Sequence, residues 1–449
     1  MQEFLNLNRG KQVKREASIR VQDFCETYEI LGASKASEQA SRCIGCGNPF
    51  CHASCPLGNF IPFWLRQIAS TNLKAAFKLS NESNPFPEIT GRVCPQERLC
   101  EGACTLADGY GAVMIGAIES TITEEGLSSG LRVPMLEPNG KNVAVIGSGP
   151  ASLACATYLL RAGYGVSMYE AAPAAGGLLR YGIPGFKLDK SVVTRRFELL
   201  GDRLKLHLNC EVGKDLEFEE IANNHDAVFV GIGARKPRRA GIPKEGANSS
   251  FSALDFLTAI QLGLDGAGEG INLKDKRVIV IGGGDTAMDC ARSSLRLGAK
   301  SVTCVYRRSK NEMGGSKKEY QNAEEEGANF MFNVVPKELI TDDVGNVSAV
   351  VLQKSVVVDG GVRAVANSEF NLACDVVVFA LGFSVEAPSF LLACGVALDG
   401  AGRIVVGDDM QTSCAGVYAG GDCVRGADLV VSAAAQGKAA ARAIIKALS

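Results

Sequence analysis

The chain has 449 residues, of which 46% are hydrophobic and 21% charged, and its net charge is −2. Length and composition describe a globular protein of two to four domains, and so small a charge supplies no basic field for nucleic acid. No apolar run approaches the roughly 18 residues that cross a bilayer, and the polar stretch Met1–Ser18 has no apolar signal core, so a cytoplasmic protein without membrane or nucleic-acid partners is expected.

Residues 1–40 are polar, and Arg20–Gly32 reads either as a helix or as an arm that faces a partner. Residues 41–125 are rich in cysteine, with helices expected over Ile61–Leu79 and Val113–Glu125. Of the 16 cysteines, eight fall before residue 105. In a reducing compartment such density points to metal rather than disulfides. Cys43, Cys46, Cys51 and Cys55 are followed by Pro56, and Cys94, Cys100 and Cys104 form a second group. Thiolates at these spacings wrap cubane iron–sulfur clusters, and in two-cluster ferredoxin runs the cysteine before proline serves the other cluster. Cys43, Cys46 and Cys51 are thus assigned to one [4Fe–4S] cluster and Cys55 to a second. Two such clusters need eight ligands and these groups give seven cysteines. The eighth is Cys25 or an oxygen donor, with Glu119 as the candidate. Zinc prefers paired C-x-x-C units, of which Cys43–Cys46 is the one instance; structural thiols are the remaining alternative.

Residues 126–140 read as a linker, and from Lys141 the pattern becomes βαβ. A strand at 142–146 runs into Gly147-x-Gly149-x-x-Ser152 and a helix at 150–162 that Pro150 opens. A strand, a glycine turn and a helix start form a pyrophosphate cradle. Ser152 stands where Gly or Ala is usual, and is small enough to keep the helix close. The next strand, Gly165–Tyr169, ends in Glu170, placed to hold an unphosphorylated ribose; a solvated strand end is the plainer reading. Gly176-Gly177-Leu178 and Gly420-Gly421-Asp422 add to a flavin reading. A terminal helix from about Leu429, with Val430 at its start, would aim its positive end at the flavin ring.

The second turn, Gly282-x-Gly284-x-x-Ala287, follows another β-branched run, with Asp285 and Thr286 opening its helix. Its partner strand, Ser301–Tyr306, ends in Arg307 and Arg308, with Lys310 nearby. Arginines there suit a ribose 2′-phosphate, hence NADPH over NADH; a solvated loop is the alternative. A hairpin of Val347–Val358 and Arg363–Phe370, a strand at Asp375–Ala380 and another at Gly416–Ala419 complete the reading.

NADPH gives a hydride, clusters carry single electrons, and FAD converts between the two. Such a relay needs no nucleophile or base, so no catalytic side chain is named; His52, His207 and His225 are scattered. A disulfide reductase would need a thiol pair beside the flavin, whereas Cys155, Cys290 and Cys423 read as lone buried thiols.

The stretches RCIGCGNPFCHASCPLGNFIP, GRVCPQERLCEGACTL, GAIE, GSGPAS, GGLLRYGIPGFKLDK, GGGDTAMDC, VYRRSKNEMGGSKKE and AGGDCVRGADLVVSAAAQGK run from residue 42 to 438. On them the chain resembles the small (β) subunits of bacterial NADPH-dependent glutamate synthase, within a wider group that includes NAD(P)H:ferredoxin oxidoreductase subunits and the N-terminal part of dihydropyrimidine dehydrogenase. The resemblance implies an α/β fold with two Rossmann-like domains, an FAD domain (141–245 and 381–449) split by an NADPH domain (246–380), preceded by a helical two-cluster domain (1–130). It implies Cys43, Cys46, Cys51 and Cys104 for one cluster and Cys55, Cys94, Cys100 and Glu119 for the other. It also implies electron delivery to a large (α) subunit with FMN and a [3Fe–4S] cluster, where glutamine and 2-oxoglutarate become glutamate. A ferredoxin:NADP oxidoreductase or sulfide dehydrogenase-type subunit uses the same parts with another partner, and a non-catalytic redox module is a third alternative.

Overall fold

The computed structural model describes residues 3–449, and in it each β-run that ends in a glycine turn becomes the middle strand of its own five-stranded sheet. The first sheet runs Val417–Ala419, Ala227–Val230, Asn142–Ile146, Gly165–Tyr169, Leu204–His207, all parallel. The second runs Ser250–Ser252, Val376–Phe379, Arg277–Ile281, Ser301–Tyr306, Asn329–Phe332, also all parallel. The middle strands read as continuous apolar runs because helices cover both faces of a parallel sheet. One sheet thus draws its last strand from residues 417–419, after the whole of the other has been made.

The expected hairpin is present as Val347–Val358 and Gly361–Ala373, and it carries a third strand, Val334–Thr341, which the sequence reading missed. The terminal helix, Val430–Leu448, packs against the helix Pro150–Arg161 that follows the first glycine turn. None of the described helices is long and apolar enough to cross a membrane.

The N-terminal part is helical around Trp64, Ile61, Leu65, Ile118 and Ile122. The single helix expected over Ile61–Leu79 is two, Ile61–Ala69 and Leu73–Ser83. Ser70-Thr71-Asn72 breaks it: Thr71 sits at φ 58°, and the Asn72 side chain accepts from Ala75 N as a new N-cap. The helix expected over Val113–Glu125 runs Ile115–Ser128.

Arg20–Gly32 is an arm, not a helix; only Ala17–Arg20 makes a turn. It faces this same chain. Arg20 is buried against Glu325 and Glu326, Tyr28 donates to Asn322, and Arg292 donates to Thr27. Thr27 N in turn bonds Phe186 O, and the Phe186 ring lies between the guanidiniums of Arg292 and Arg296, at 4.2 and 4.0 Å. Lys187 Nζ reaches Asp289 at 2.9 Å. The arm and the Phe186–Lys187 loop therefore clamp the second nucleotide unit in place.

Candidate functional site

The thiols separate into two cavities. Cys43, Cys46, Cys51 and Cys104 line one, with Phe50, Pro62 and Ile115. Cys55, Cys94, Cys100 and Glu119 line the other, with Asn59, Thr90, Ile115 and Val431. Spacing alone had set Cys55 apart from its three neighbours but had not allotted Cys94, Cys100 and Cys104. Of the two candidates for an eighth donor, Glu119 lies in the second cavity, whereas Cys25 is exposed on the arm and lines neither.

Burial pushes the Cys51 thiol up to about 12, and Cys94 and Cys100 well above the usual thiol range. Loading such a site must therefore release protons. Glu119 is held by side-chain amides of Asn59 and Asn84 and by Thr90 Oγ1. Its burial outweighs those three bonds and pushes the carboxyl up to about 7. Two enclosed sites of soft thiol donors, one completed by a carboxyl with no cation partner among the described residues, fit iron–sulfur chemistry. His52 is a packing residue: its Nδ1 lies 2.9 Å from Asn59 O and its ring stacks on Phe60.

A cleft of about 490 Å³ opens at the first glycine turn. Gly147, Gly149, Pro150, Glu170, Gly177, Leu178, Gly421, Asp422 and Val430 all line it. Gly147 has φ 87°, and a Cβ there would stand 2.7 Å from Gly231 O, so only glycine fits. Ser152 is accommodated by Gly231, whose own Cβ would meet Ser152 Oγ at 2.2 Å. Glu170 is buried; it accepts from Ser148 N at 3.1 Å, Ser148 Oγ at 2.5 Å and Ala172 N at 2.8 Å. Ser148 Oγ also accepts from Gly176 N, so this carboxylate anchors two loops of the cleft. Burial pushes Asp422 up to about 7. The cradle, a backbone that side chains cannot fill beside the buried Glu170 and the half-buried Asp422, fits a dinucleotide.

Sequence reading missed part of this wall. Gly231 to Pro237 lines the cleft beyond the strand Ala227–Val230, and its signal was present: an apolar β-run ending in Gly231-x-Gly233. Cys210 also lines the cleft and is the one thiol among the described residues that does, so no dithiol faces it.

At the second turn, Gly284 caps the helix Asp285–Arg296 and Gly283 packs under Tyr306. Thr286 and Ala287 lie in the first turn of that helix. The Asp285 carboxylate accepts from Ser316 N, and Arg98, from the loop between Cys94 and Cys100, lies 3.6 Å from it. The cysteine loop thus touches the second turn, a contact no local pattern announces. Arg307 is exposed at the end of its strand, and Arg308 donates to Gly360 O at 2.8 Å with its buried Nε unpartnered. Lys310 lies over the Tyr320 ring at 4.3 Å.

Two parallel sheets with glycine cradles, joined to thiol-lined cavities, define a pyridine-nucleotide oxidoreductase with an iron–sulfur domain. Family models agree: residues 141–437 match the pyridine nucleotide-disulphide oxidoreductase family, and residues 20–131 match dihydropyrimidine dehydrogenase domain II, 4Fe-4S cluster. The fold is similar to that of FprA from Mycobacterium tuberculosis in complex with NADPH, with a TM-score of 0.57 at 22% identity over 70% of this chain and 85% of that one. The chain is 44% identical to the glutamate synthase [NADPH] small chain of Escherichia coli (strain K12), covering 99% of this chain and 98% of the relative. It is 45% identical to AegA of the same organism, described only as an oxidoreductase, over 97% of this chain and 69% of that one. The chain belongs to the family of glutamate synthase [NADPH] small chains.

Proposed function

We propose that this chain is the electron-input subunit of a glutamate synthase. It would oxidise NADPH, hold FAD in the cleft and one [4Fe–4S] cluster in each thiol cavity, and deliver electrons to a large subunit with FMN and a [3Fe–4S] cluster. That partner would make L-glutamate from glutamine and 2-oxoglutarate.

The observation that carries this reading is the step from Val430 to Val431. The first lines the flavin cleft and the second lines the Cys55 cavity, while Ile115 lines both thiol cavities. The cleft and the Cys55 cavity are thus bordered by consecutive residues of one helix, and the two thiol cavities share the Ile115 side chain. When bound, FAD takes a hydride from NADPH and yields electrons singly to the clusters. The chain's own residues position these groups. Gly147 and Gly149 admit the pyrophosphate to the helix that Pro150 opens, and Glu170 fixes the loops around the ribose. Gly177, Leu178, Gly421, Asp422 and Val430 bound the rest of the flavin. Gly282, Gly284, Asp285, Thr286 and Ala287 would hold the NADPH pyrophosphate, with Arg307 and Arg308 on the 2′-phosphate.

Anaerobic titration with NADPH, with flavin, iron and sulfide analysis, tests the relay, and repetition with the large subunit tests the partner. Bleaching of the flavin and glutamate formation only with that subunit are expected. A protein lacking acid-labile sulfide, or one whose flavin stays oxidised under excess NADPH, is not this relay. The similarity to AegA favours a second reading, the same electron input with a different acceptor; NADPH-driven dye reduction without any glutamate formation would select it.

Two predictions follow from the assigned residues. Arg307→Ala and Arg308→Ala, each made alone, are expected to raise KM for NADPH by about 10- to 100-fold, since one lost charge-assisted bond is worth roughly 1.5–3 kcal/mol. KM for NADH should barely change, and equal effects on the two would refute the 2′-phosphate role. Glu119→Ala is expected to alter the EPR spectrum of one cluster and spare the other, whereas Cys25→Ser changes neither. A Cys25→Ser protein that loses a cluster reverses that assignment.

A further inference from the structure

Lys438 lies on the terminal helix two turns beyond Val430 and Val431. It is 7% exposed, and its Nζ donates to Leu57 O at 2.9 Å and Ser83 O at 2.8 Å. Both carbonyls stand directly behind the wall of the second thiol cavity: Leu57 lies between the lining residues Cys55 and Asn59, and Ser83 precedes the lining residue Asn84. Leu57 follows Cys55 by two residues, and the Ser83 hydroxyl bonds Asn59, whose amide holds Glu119. Among the described residues the amine has no carboxylate partner.

A buried ammonium given only neutral acceptors is costly, and burial accordingly pushes Lys438 down to about 8. Nearby charges do not offset it. Arg442 and Arg161 repel it, and the opposing pull of Cys55 does not make up the loss. A cubane held by three thiolates and a carboxylate carries a charge of about −2 when oxidised and about −3 when reduced. An ammonium in the same dry surroundings stabilises both states, and the reduced one more, because Coulomb energy scales with the added charge.

We propose that Lys438 tunes the cluster held by Cys55, Cys94, Cys100 and Glu119, its ammonium raising that cluster's reduction potential so that electrons leave the flavin readily. The inference rests on the electron-input reading above. Lys438 touches neither nucleotide nor cluster ligand; it acts on the potential through the field it places beside the site. The charge sits on the helix whose first residues, Val430 and Val431, border the cleft and the Cys55 cavity.

The test is an EPR-monitored redox titration of the whole flavin- and cluster-loaded protein, comparing Lys438→Met, Lys438→Gln and Lys438→Arg with wild type. Met and Gln are expected to lower the reduction equilibrium constant of one cluster about tenfold, about 59 mV for one electron. Arg should keep it within about threefold, and the other cluster should not move. The proposal is overturned if Met and Gln leave both potentials in place, if Arg shifts as far as Met, or if both clusters move together. Should Lys438→Met fail to load its cluster, the Gln and Arg variants decide, and equal potentials in those two overturn it. A wild-type protein that holds no iron, or whose clusters NADPH does not reduce, would instead overturn the electron-input reading and this inference with it.

Discussion

Gly437→Ala is expected to strip the protein of flavin and lower its Tm, although the same change in most helix interiors gains about 0.5–1 kcal/mol. A Cβ at Gly437 would stand 2.0 Å from Ala151 O and 2.8 Å from its carbonyl carbon. Both atoms are backbone of the helix that follows the first glycine turn, so no rotamer change relieves the clash and the two helices must part. Overpacking costs about 1–3 kcal/mol even where side chains can yield, so the loss here exceeds the propensity gain. Ala151 also meets Gly421, where a Cβ would lie 2.8 Å from the Ala151 Cβ. Moving that helix therefore disturbs two walls of the cleft assigned to the flavin at once. Flavin content after gel filtration and a thermal melt check the effect, and a variant with full flavin and a Tm at or above wild type refutes the packing account.

Glu326→Gln should be at least as damaging. The Glu326 side chain is fully buried and accepts from Arg20 Nε at 2.7 Å, Arg292 Nε at 2.9 Å and Arg296 Nη1 at 2.6 Å. Glutamine keeps the shape but leaves these buried guanidiniums short of one negative charge, and breaking a buried pair in this way costs about 3–5 kcal/mol. Hydrogen bonds from Arg292 and Arg296 overcome burial and hold the Glu326 carboxyl at about 2, against an ordinary 4.5. Between those values the unfolded chain takes up a proton that the folded chain refuses, so stability is present above about pH 4.5 and drains as pH falls towards 2. Acid unfolding of the variant should lose that slope while that of wild type keeps it. Because Arg20 comes from the arm, the variant should also free residues 14–28 for proteolysis. An arm that stays protected, with an unchanged acid midpoint, would show the cluster of charges to be dispensable.

What the sequence disclosed was local. Both glycine turns were readable because β-branched runs precede them and the chemistry requires glycine at fixed offsets, and all nine residues assigned to the flavin line one cleft. Pro56 marked Cys55 as different from its neighbours. The break at Ser70-Thr71-Asn72 was also written locally, in a capping triplet that the apolar period on either side concealed. What stayed hidden was non-local. Arg20 and Glu326 are 306 residues apart, and nothing near Arg20 names its partner. Arg98 looks like a loop residue between two cysteines until the second turn folds against it. Ser250–Ser252 is too short and polar to announce a strand, and it becomes one because Val376–Phe379 offers it an edge. Lys438 was in view as the one charge between Val430 and Ala441, but its meaning depends on two carbonyls from another part of the chain.

The interleaved first sheet has a consequence for how the protein is made. Its edge strand Val417–Ala419, the cleft wall at 420–433 and Lys438 leave the ribosome more than 300 residues after Cys104. At about 10 residues per second, that gap is roughly half a minute of translation. From the synthesis of Val230 onward the nascent chain carries its N-terminal thiols beside an Ala227–Val230 strand with one edge unpaired, a template for wrong pairing. Iron delivery can therefore start before the cleft is complete, whereas flavin capture must wait until residues 420–433 have emerged, and a chain cut short before Val417 would be sticky, thiol-rich and colourless in its flavin band.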